Sequence, residues 1–563
     1  MGNFSELKYE RPYFEKVKSE FEKLITDIQN SKNAEQQLKA IKKINKIRNF
    51  VQTKDKVSKI RHSIDTTDNF YRSENRYWDE HRPLYDSLAA DFYRVLLASE
   101  FRCQLEEKIS PVFFSLAENS LKTFSVDIIA DLQQENKLVS EYMVLISTAK
   151  TSFRGEMHNL ASFGKYTGHP NREIREAASR TKWQWYADNE QKLDNIFDQL
   201  VKVRHCIARK LGFNNFVELS YVRLNRLDYD AGKVEAFRKQ VLESIVPVAN
   251  EIFEQQRMRL GLKKMRHFDL HYCSTDGNAR PQGNTDWIIQ QSASMFNSLS
   301  PETKNFFNRL KNNNFMDLEN KPNKKNGGFC AYLPDEKMPF LFANFKGTKN
   351  DVRVLTHEMG HGFQKYMSRW IETPELLNPT QESAEIHAMS MELLTYPWME
   401  LFFGKDTLKF KHDHLSDAIT TIPYIATVDA FQHWVYEHPE AFLTDRKTIW
   451  RQIEKQFQPH KEYGDFDFLE SGGFWMVQSH IFSNPFYYID YALAQVCALQ
   501  FWKKMNENYD EAWKGYLELC KLGGTKSFLE LLKHANLASP FEQGAVNDVV
   551  KDVSTWLRMN PIS

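Results

Sequence analysis

Apolar residues recur at intervals of three and four along most of this 563-residue chain, and glycine and proline rarely interrupt them. The stretch from Ser63 to about Arg259 predicts successive amphipathic helices, and helical patterning returns at Asp351 and lasts to the end of the sequence. We therefore expect a mainly α-helical fold. A chain of this length exceeds the size at which one hydrophobic core keeps growing, so two or more lobes are expected.

One segment, between about Phe268 and Phe345, departs from the helical pattern because Gly, Pro, Asn and Asp cluster within it. Inside it, the runs GGFCAY and MPFLFANF predict two strands joined by a turn around Pro334 and Asp335. The sequence thus predicts a small β element directly before the helix that begins near Asp351.

The charge and cysteine content exclude several classes of function. Lysine plus arginine number 74 and aspartate plus glutamate number 74, so no overall field draws the chain to nucleic acid or to an anionic membrane. The sequence has no CxxC finger, RNP-like motif or run of 18 apolar residues, so we expect neither a nucleic-acid nor a membrane partner. The six cysteines are scattered and the first residues contain no apolar signal segment, so we expect a reducing, cytoplasmic location.

The strongest chemical signal is the sequence His357-Glu358-Met359-Gly360-His361. Helical residues four apart lie about 5–6 Å apart on one face, so both imidazoles can reach one metal ion. Glu358 is then placed to take a proton from an activated water. The apolar stripe of the same helix points almost the opposite way, which argues against two core histidines. This stripe consists of Val352, Leu355, Met359, Phe363, Tyr366 and Trp370.

A catalytic zinc site needs a third protein ligand and one position for water. The HExxHxxGxxH arrangement is excluded, because Gln364 and Met367 occupy the places of its glycine and third histidine. The next predicted helix supplies Glu382, Glu385 and Glu392 on one face. Buried carboxylates on a shared face need a cation or hydrogen-bond donors. Spacing alone leaves both Glu382 and Glu385 possible as the third ligand.

The motif HEMGH, followed after 23 intervening residues by Glu385 within ESAEIHAMSMELL, resembles the thimet oligopeptidase and oligoendopeptidase F family of zinc metallopeptidases. The stretches GGFCAYLP, PFLFANFKGTKNDVRVLTHEMGH and LCKLGGTKSFLELLKHANL are similar to that family as well. The resemblance implies that Glu385 completes a zinc site with His357 and His361, one Zn²⁺ per chain, and that Glu392 orients a ligand histidine. The same ligand types also accept cobalt or manganese.

A downstream segment, from His480 through PFYYIDYA, is similar to a histidine-and-tyrosine segment that lines the cleft opposite the zinc in that family, in particular in its bacterial Pz-peptidase branch. The resemblance implies that Tyr491, with Tyr488 or His480, stabilises an oxyanion. The spacing from His480 to these tyrosines is one residue shorter than in the mammalian branch, and Asn484 stands near where that branch has another tyrosine.

The resemblance also implies two helical lobes that enclose a deep channel, which admits short unfolded peptides and excludes folded proteins. We expect an N-terminal helical lobe at 1–190 and a catalytic region with the C-terminal lobe at 191–563. The strand containing Phe329, Ala331 and Tyr332 is expected to bind the substrate backbone by β-augmentation.

Together these features predict a zinc-dependent oligoendopeptidase that hydrolyses internal bonds of short peptides. A zinc carboxypeptidase or a dipeptidyl carboxypeptidase remains an alternative, and either would need a cationic group that fixes the terminal carboxylate. An aminopeptidase is less favoured because a GxMEN-type segment is missing from the sequence. A non-catalytic peptide-binding module is the alternative from another class, but it has no use for a general base at Glu358. The oligomeric state is left open.

Overall fold

The computed structural model describes residues 2–325 and 327–562 of the chain. They form two compact units, each assembled from three separate stretches. The first unit contains Met1–Lys122, Arg280–Thr407 and Cys497–Leu537, and the second contains Thr123–Ala279, Leu408–Val496 and Ala538–Ser563. The predicted lobes at 1–190 and 191–563 stay a prediction, and residue 190 lies inside the second unit.

Helices account for most of the described chain, which confirms the prediction of a mainly α-helical fold. The helices before residue 280 are α1 (Phe14–Gln29), α2 (Ala34–Ile64), α3 (Asn69–Leu97), α4 (Arg102–Lys108), α5 (Pro111–Lys122), α6 (Ile129–Ser147), α7 (Gly164–Thr167), α8 (Arg172–Asp188), α9 (Glu190–Lys210), α10 (Phe216–Arg223), α11 (Ala231–Gln240) and α12 (Val246–Arg259). A π-helical turn at Val241–Ile245 joins α11 to α12.

The helices after residue 280 include the two that carry the predicted metal ligands, α15 and α17. They are α13 (Thr285–Leu299), α14 (Pro301–Asn312), α15 (Lys349–Met367), α16 (Pro374–Leu377), α17 (Gln381–Leu394), α18 (Glu400–Phe403), α19 (Thr407–Glu437), α20 (Leu443–Phe457), α21 (Asp467–Glu470), α22 (Ser479–Ser483), α23 (Ile489–Glu507), α24 (Tyr509–Leu522), α25 (Phe528–His534) and α26 (Ala545–Met559).

The small sheet predicted before α15 is present in the first unit. Its strands are β3 (Met316–Glu319), β4 (Phe329–Leu333) and β5 (Met338–Phe345), in the order β3-β5-β4, with β3 parallel and β4 antiparallel to β5. The predicted turn joins β4 to β5. Strand β3 was not predicted. A hairpin in the second unit, β1 (Thr151–Phe153) and β2 (Glu156–His158), was not predicted either, and it lies within the stretch expected to form successive helices.

A side-chain cap explains where α15 begins. Oδ2 of Asp351 accepts hydrogen bonds from the backbone N–H groups of Lys346, Gly347 and Thr348, the three residues that lead into the helix. This carboxylate satisfies the backbone N–H of the N-cap residue Thr348 and of the two loop residues before it, and its charge is favourable at that end of the helix dipole. The cap therefore fixes the turn between β5 and α15, which ends nine residues before His357.

The apolar stripe predicted for α15 is buried, with one exception. Val352, Leu355, Met359 and Phe363 are at most 1% exposed and Tyr366 is 2% exposed, so this face of the helix packs into the core. Trp370 was expected to continue the stripe, and this prediction is wrong: α15 ends at Met367, and the Trp370 side chain is 62% exposed.

Helices α15 and α17 pack together with very little space between their backbones. A Cβ atom placed on Gly360 would lie 2.5 Å from the carbonyl oxygen of His387 and 2.6 Å from Cα of Ala388. Only glycine permits so close an approach. The contact therefore places the HExxH motif directly against the helix that carries the predicted glutamates.

Among the described residues, no helix combines the length and the apolar character needed to cross a bilayer.

Candidate metal centre

Three of the predicted ligands lie together in the first unit. Nε2 of His357 lies 3.4 Å and Nε2 of His361 lies 3.7 Å from Oε2 of Glu385. One ligand atom from each residue falls within 4.8 Å of the other two, which makes this trio a possible metal site. The histidine side chains are 23% and 16% exposed, whereas Glu385 is 6% exposed, so the trio is reachable from one side.

The donor set fits a divalent cation of the zinc type. Ligand atoms at about 2.0–2.1 Å from a tetrahedral centre would be separated by roughly 3.3 Å, close to both distances to Glu385. Two imidazole nitrogens and one carboxylate oxygen are also the ligands of His₂Glu catalytic zinc sites.

Glu392 and Arg353 fix the orientation of His357. Oε1 of Glu392 lies 2.7 Å from Nδ1 of His357, and because an ionised carboxylate only accepts, Nδ1 donates. When the imidazole is neutral, Nε2 of His357 therefore has its lone pair toward Glu385. Nε of Arg353 donates to Oε2 of Glu392 over 2.9 Å, which holds the carboxylate in place. The three residues form a chain of contacts of the kind that sets ligand orientation in metal sites.

The surrounding carboxylates favour positive charge at this position. Burial by itself would lower the pKa of His357, but the hydrogen bond and charge of Glu392, aided by the charge of Glu385, raise it to about 9. Burial, together with the positive charge of His357, lowers the pKa of His361 well below its usual value. One histidine is therefore ready to bind as a neutral ligand, and the other holds a proton that a metal ion would replace.

Glu358 lies beside this trio with the properties of a base that works near neutral pH. Glu358 is 9% exposed. Burial raises the pKa of its carboxyl group to about 7, although the positive charges of His357 and Lys365 oppose this shift. A Cβ atom on Gly328 would lie 3.4 Å from Oε1 of Glu358, so the backbone leading into β4 passes close to this carboxylate.

Glu382, which spacing had left open as a ligand, lies in a different environment. It is 1% exposed, and its Oε1 accepts a hydrogen bond from Oγ1 of Thr380 over 2.6 Å, at the N-terminal end of α17. The geometry thus favours Glu385 as the partner of the two histidines.

Strand β4 supplies the predicted substrate-binding residues. Phe329 and Ala331 are partly exposed, while Tyr332 is 8% exposed. Phe329 stacks on Phe342 of β5, with ring centroids 4.6 Å apart. Among the strands of the described chain, β4 pairs only with β5, so it is an edge of this sheet. An edge strand has backbone groups that a peptide can pair with.

The remaining predicted residues cluster in the second unit. The ring of His480 lies 4.8 Å from that of Tyr488 and 6.1 Å from that of Tyr491, and the two tyrosine rings are 5.8 Å apart. Burial raises the pKa of Tyr488 to about 12, so it carries its hydroxyl proton at neutral pH. The structure thus brings these three side chains together as a group of hydrogen-bond donors.

Two residues that the sequence analysis missed fix His480. Nε2 of Gln478 donates to Nδ1 of His480 over 2.6 Å, and Oε1 of Gln478 accepts from the hydroxyl of Tyr424 over 2.8 Å. Burial lowers the pKa of His480, so the imidazole is neutral and its one proton is on Nε2. Tyr424 also lines a cavity of about 370 Å³ in the second unit, whose wall combines aromatic residues such as Trp183 and Phe474 with charged and polar ones.

Sequence patterns indicated the residues that were not predicted, Arg353, Gln478 and Tyr424, only weakly. Arg353 lies four residues before His357, a spacing that places both on one helix face, so its contact with the site was the easiest of the three to predict. Gln478 lies two residues before His480, but nothing in the sequence indicates its contact with Tyr424, which is 54 residues away.

Comparisons with known proteins show the family of the chain. Residues 165–549 match the model of peptidase family M3, and residues 4–124 match the peptidase M3 N-terminal domain. The fold is similar to Pz peptidase A, solved with an inhibitor (49% identity, 99% of both chains, TM-score 0.93), and to a Bacillus anthracis protein assigned as an oligoendopeptidase F (44% identity, 99% of this chain and 98% of that chain, TM-score 0.89). An oligoendopeptidase F homolog of Borreliella burgdorferi is 25% identical over 422 residues, which cover 71% of this chain and 70% of that protein.

Proposed function

The chain belongs to peptidase family M3, and from this premise we propose that it is a zinc-dependent oligoendopeptidase that cleaves internal bonds of short unfolded peptides. The observation that carries the proposal is the trio of His357, His361 and Glu385, whose ligand atoms all lie within 4.8 Å of one another. Glu358 follows His357 directly in the sequence, so a base lies next to a metal ligand.

Each residue of the centre has a separate task in peptide hydrolysis. His357, His361 and Glu385 hold the zinc ion, which when bound supplies Lewis-acid activation of water and of the scissile carbonyl. Glu358 takes a proton from the attacking water and later delivers it to the nitrogen of the leaving amine. A pKa of about 7 suits both steps, because the carboxyl is readily ionised and readily protonated at neutral pH.

Glu392 and Arg353 act through His357 and do not touch the reacting atoms. By accepting the Nδ1 proton, Glu392 keeps Nε2 of His357 available as a ligand. Arg353 in turn neutralises part of the charge of Glu392 and fixes its second oxygen.

The oxyanion that forms on the substrate carbonyl needs hydrogen-bond donors, and we assign this task to Tyr491, with Tyr488 or His480 beside it. The assignment is supported by the resemblance of the His480–Tyr491 segment to the family and by the neutral, donor form of His480. Donors of this kind contribute about 3–4 kcal/mol to transition-state stabilisation.

Substrate binding is proposed at the edge of β4, where Phe329, Ala331 and Tyr332 are located. Backbone pairing there gives affinity with little side-chain selection, which suits an enzyme for varied short peptides.

The test is hydrolysis of an internally quenched peptide of about ten residues that is blocked at both ends, measured with and without a chelator and added zinc. We expect internal cleavage that stops with the chelator and returns with zinc, with one zinc per chain by metal analysis. If only peptides with a free C-terminus were cleaved, the carboxypeptidase or dipeptidyl carboxypeptidase alternative would replace the proposal. If zinc bound without any cleavage, the chain would be a peptide-binding module.

A further inference from the structure

The segment that carries Tyr488 and Tyr491 begins with a backbone conformation that is unfavourable for its residue. Phe486 has φ of +65°, in the left-handed region that non-glycine residues rarely adopt. Its ring is fully buried and lies 4.9 Å from the ring of His433, measured between centroids. A residue held in this region persists only when its surroundings fix it.

Arg226 fixes this turn by binding both of its ends. Nη2 of Arg226 donates to the carbonyl oxygen of Phe486 over 2.6 Å and to Oδ1 of Asp490 over 2.8 Å. The side chains of Arg226 and Asp490 are 0% and 1% exposed, so the ion pair is shielded from water and from salt. The guanidinium also lies over the ring of Tyr221, 4.3 Å from its centroid.

Two further buried groups hold the same stretch of backbone. Oε1 of Gln432 accepts from the backbone N–H of Phe486 over 3.0 Å, and Nη2 of Arg204 donates to the carbonyl of Phe482 over 2.5 Å. Arg226 connects this turn to the first turn of α23, where Asp490 and Tyr491 are located.

We propose that Arg226 is a positioning residue for Tyr488 and Tyr491. Arg226 joins the Phe486 carbonyl to the Asp490 carboxylate. Tyr488 lies between these two residues in the sequence and Tyr491 directly follows Asp490, so the contact sets the direction in which both tyrosines present their hydroxyls. The inference rests on the proposed function, since it concerns the donors assigned to the oxyanion. Misplacement of such donors by about 1 Å costs on the order of 10²-fold in rate.

The test compares Arg226→Lys with the wild type. Lysine keeps the charge, but its single ammonium cannot reproduce the planar guanidinium contact with both acceptors and with Tyr221. We expect kcat to fall roughly 10–100-fold while KM changes little and zinc content stays at one per chain. Arg175→Lys is the matched control, because Arg175 forms a similarly buried ion pair with Asp269 (2.9 Å) elsewhere in the second unit.

A double-mutant cycle separates positioning from a merely structural role. If Arg226 acts through the tyrosines, Arg226→Lys has little further effect on kcat when Tyr488→Phe and Tyr491→Phe are already present. Equal effects of Arg226→Lys in both backgrounds, or an equal loss of kcat in Arg175→Lys, would overturn the inference. If Arg226→Lys fails to fold, Asp490→Asn breaks the same ion pair and is judged by the same criterion.

The outcomes also separate this inference from the proposed function. Absence of chelator-sensitive cleavage by the wild type would overturn the proposed function itself. Full activity of the chain carrying Tyr488→Phe and Tyr491→Phe would overturn the assignment of the tyrosines as oxyanion donors, and with it the positioning role of Arg226. Slow cleavage by the tyrosine variant together with wild-type activity of Arg226→Lys would overturn only the positioning role.

Discussion

Glu392 accepts a hydrogen bond from Nδ1 of His357 over 2.7 Å, and this contact determines which nitrogen of His357 faces Glu385. Replacing Glu392 with alanine is expected to weaken zinc binding about 10–100-fold, because the imidazole loses the partner that orients it and raises its basicity. Competition with a chromophoric chelator measures this affinity. Glu400→Ala, on an exposed residue of the same unit, is the control and should bind zinc like the wild type. Equal affinities for all three proteins would contradict the role of Glu392.

Glu358→Gln is expected to separate metal binding from turnover. Glutamine has nearly the same shape but cannot take the proton of the attacking water, so kcat should fall roughly 10²–10⁴-fold or more while zinc content is unchanged. Metal analysis and hydrolysis of the blocked, quenched peptide give the two readouts from one preparation. Near-normal turnover would show that another group acts as the base.

Gly360→Ala tests the close contact of α15 with α17. The added methyl would lie 2.5 Å from the carbonyl of His387, an atom of the backbone that cannot rotate away. We expect a loss of about 1–3 kcal/mol in unfolding free energy, together with weaker zinc binding as Glu385 moves away from the histidines. Gly515→Ala in α24 is the control, since the nearest atom to its new methyl would lie 3.7 Å away. A Gly360→Ala protein with wild-type stability and affinity would contradict the prediction.

Stability should fall as the pH drops from about 6.5 to about 4, partly because of His267. Burial lowers the pKa of His267 to about 4, below the value of about 6.5 in the unfolded chain. The unfolded state therefore binds more protons in this window, and the stability contributed by neutral His267 is present above it and lost below it.

Replacing His267 with glutamine should accordingly reduce the loss of unfolding free energy between pH 7 and pH 5, on the order of 2 kcal/mol for one such group. Urea unfolding at the two pH values gives the comparison. His438→Gln, on an exposed histidine of the same unit, should leave the loss unchanged. Identical pH dependence in wild type and His267→Gln would mean that other groups dominate acid unfolding.

The parts of the fold that local pattern specifies were predictable from the sequence. The apolar stripe of α15 predicted which face of the helix is buried, and the same periodicity directed His357 and His361 away from it. Strands β4 and β5 were predictable because their apolar runs are bounded by turn residues. The prediction that Trp370 continues the stripe was wrong because α15 already ends at Met367, and periodicity alone does not indicate where an apolar stripe stops.

Other features depend on contacts that no local pattern contains. Strand β3 is four residues long and pairs in parallel with β5, from which it is separated by a loop and β4. The hairpin of β1 and β2 turns at Arg154 and Gly155, without the Asn-Gly or Asp-Gly pair that usually indicates such a turn. Arg226 meets Asp490 across 264 residues, a separation at which sequence periodicity gives no information.

The order of segments in the first unit also determines which contacts around the candidate metal centre can form early in synthesis. Both helices of the centre, α15 and α17, are complete in the nascent chain by Leu394, but α24 is made more than 100 residues later. The hydroxyl of Tyr516 in α24 donates to the carbonyl of His387 over 2.9 Å, on the residue that Gly360 also contacts. The contact between α24 and α17 therefore forms only after more than 100 further residues have been synthesised, so the backbone beside Gly360 gains its last neighbour late in the making of this unit.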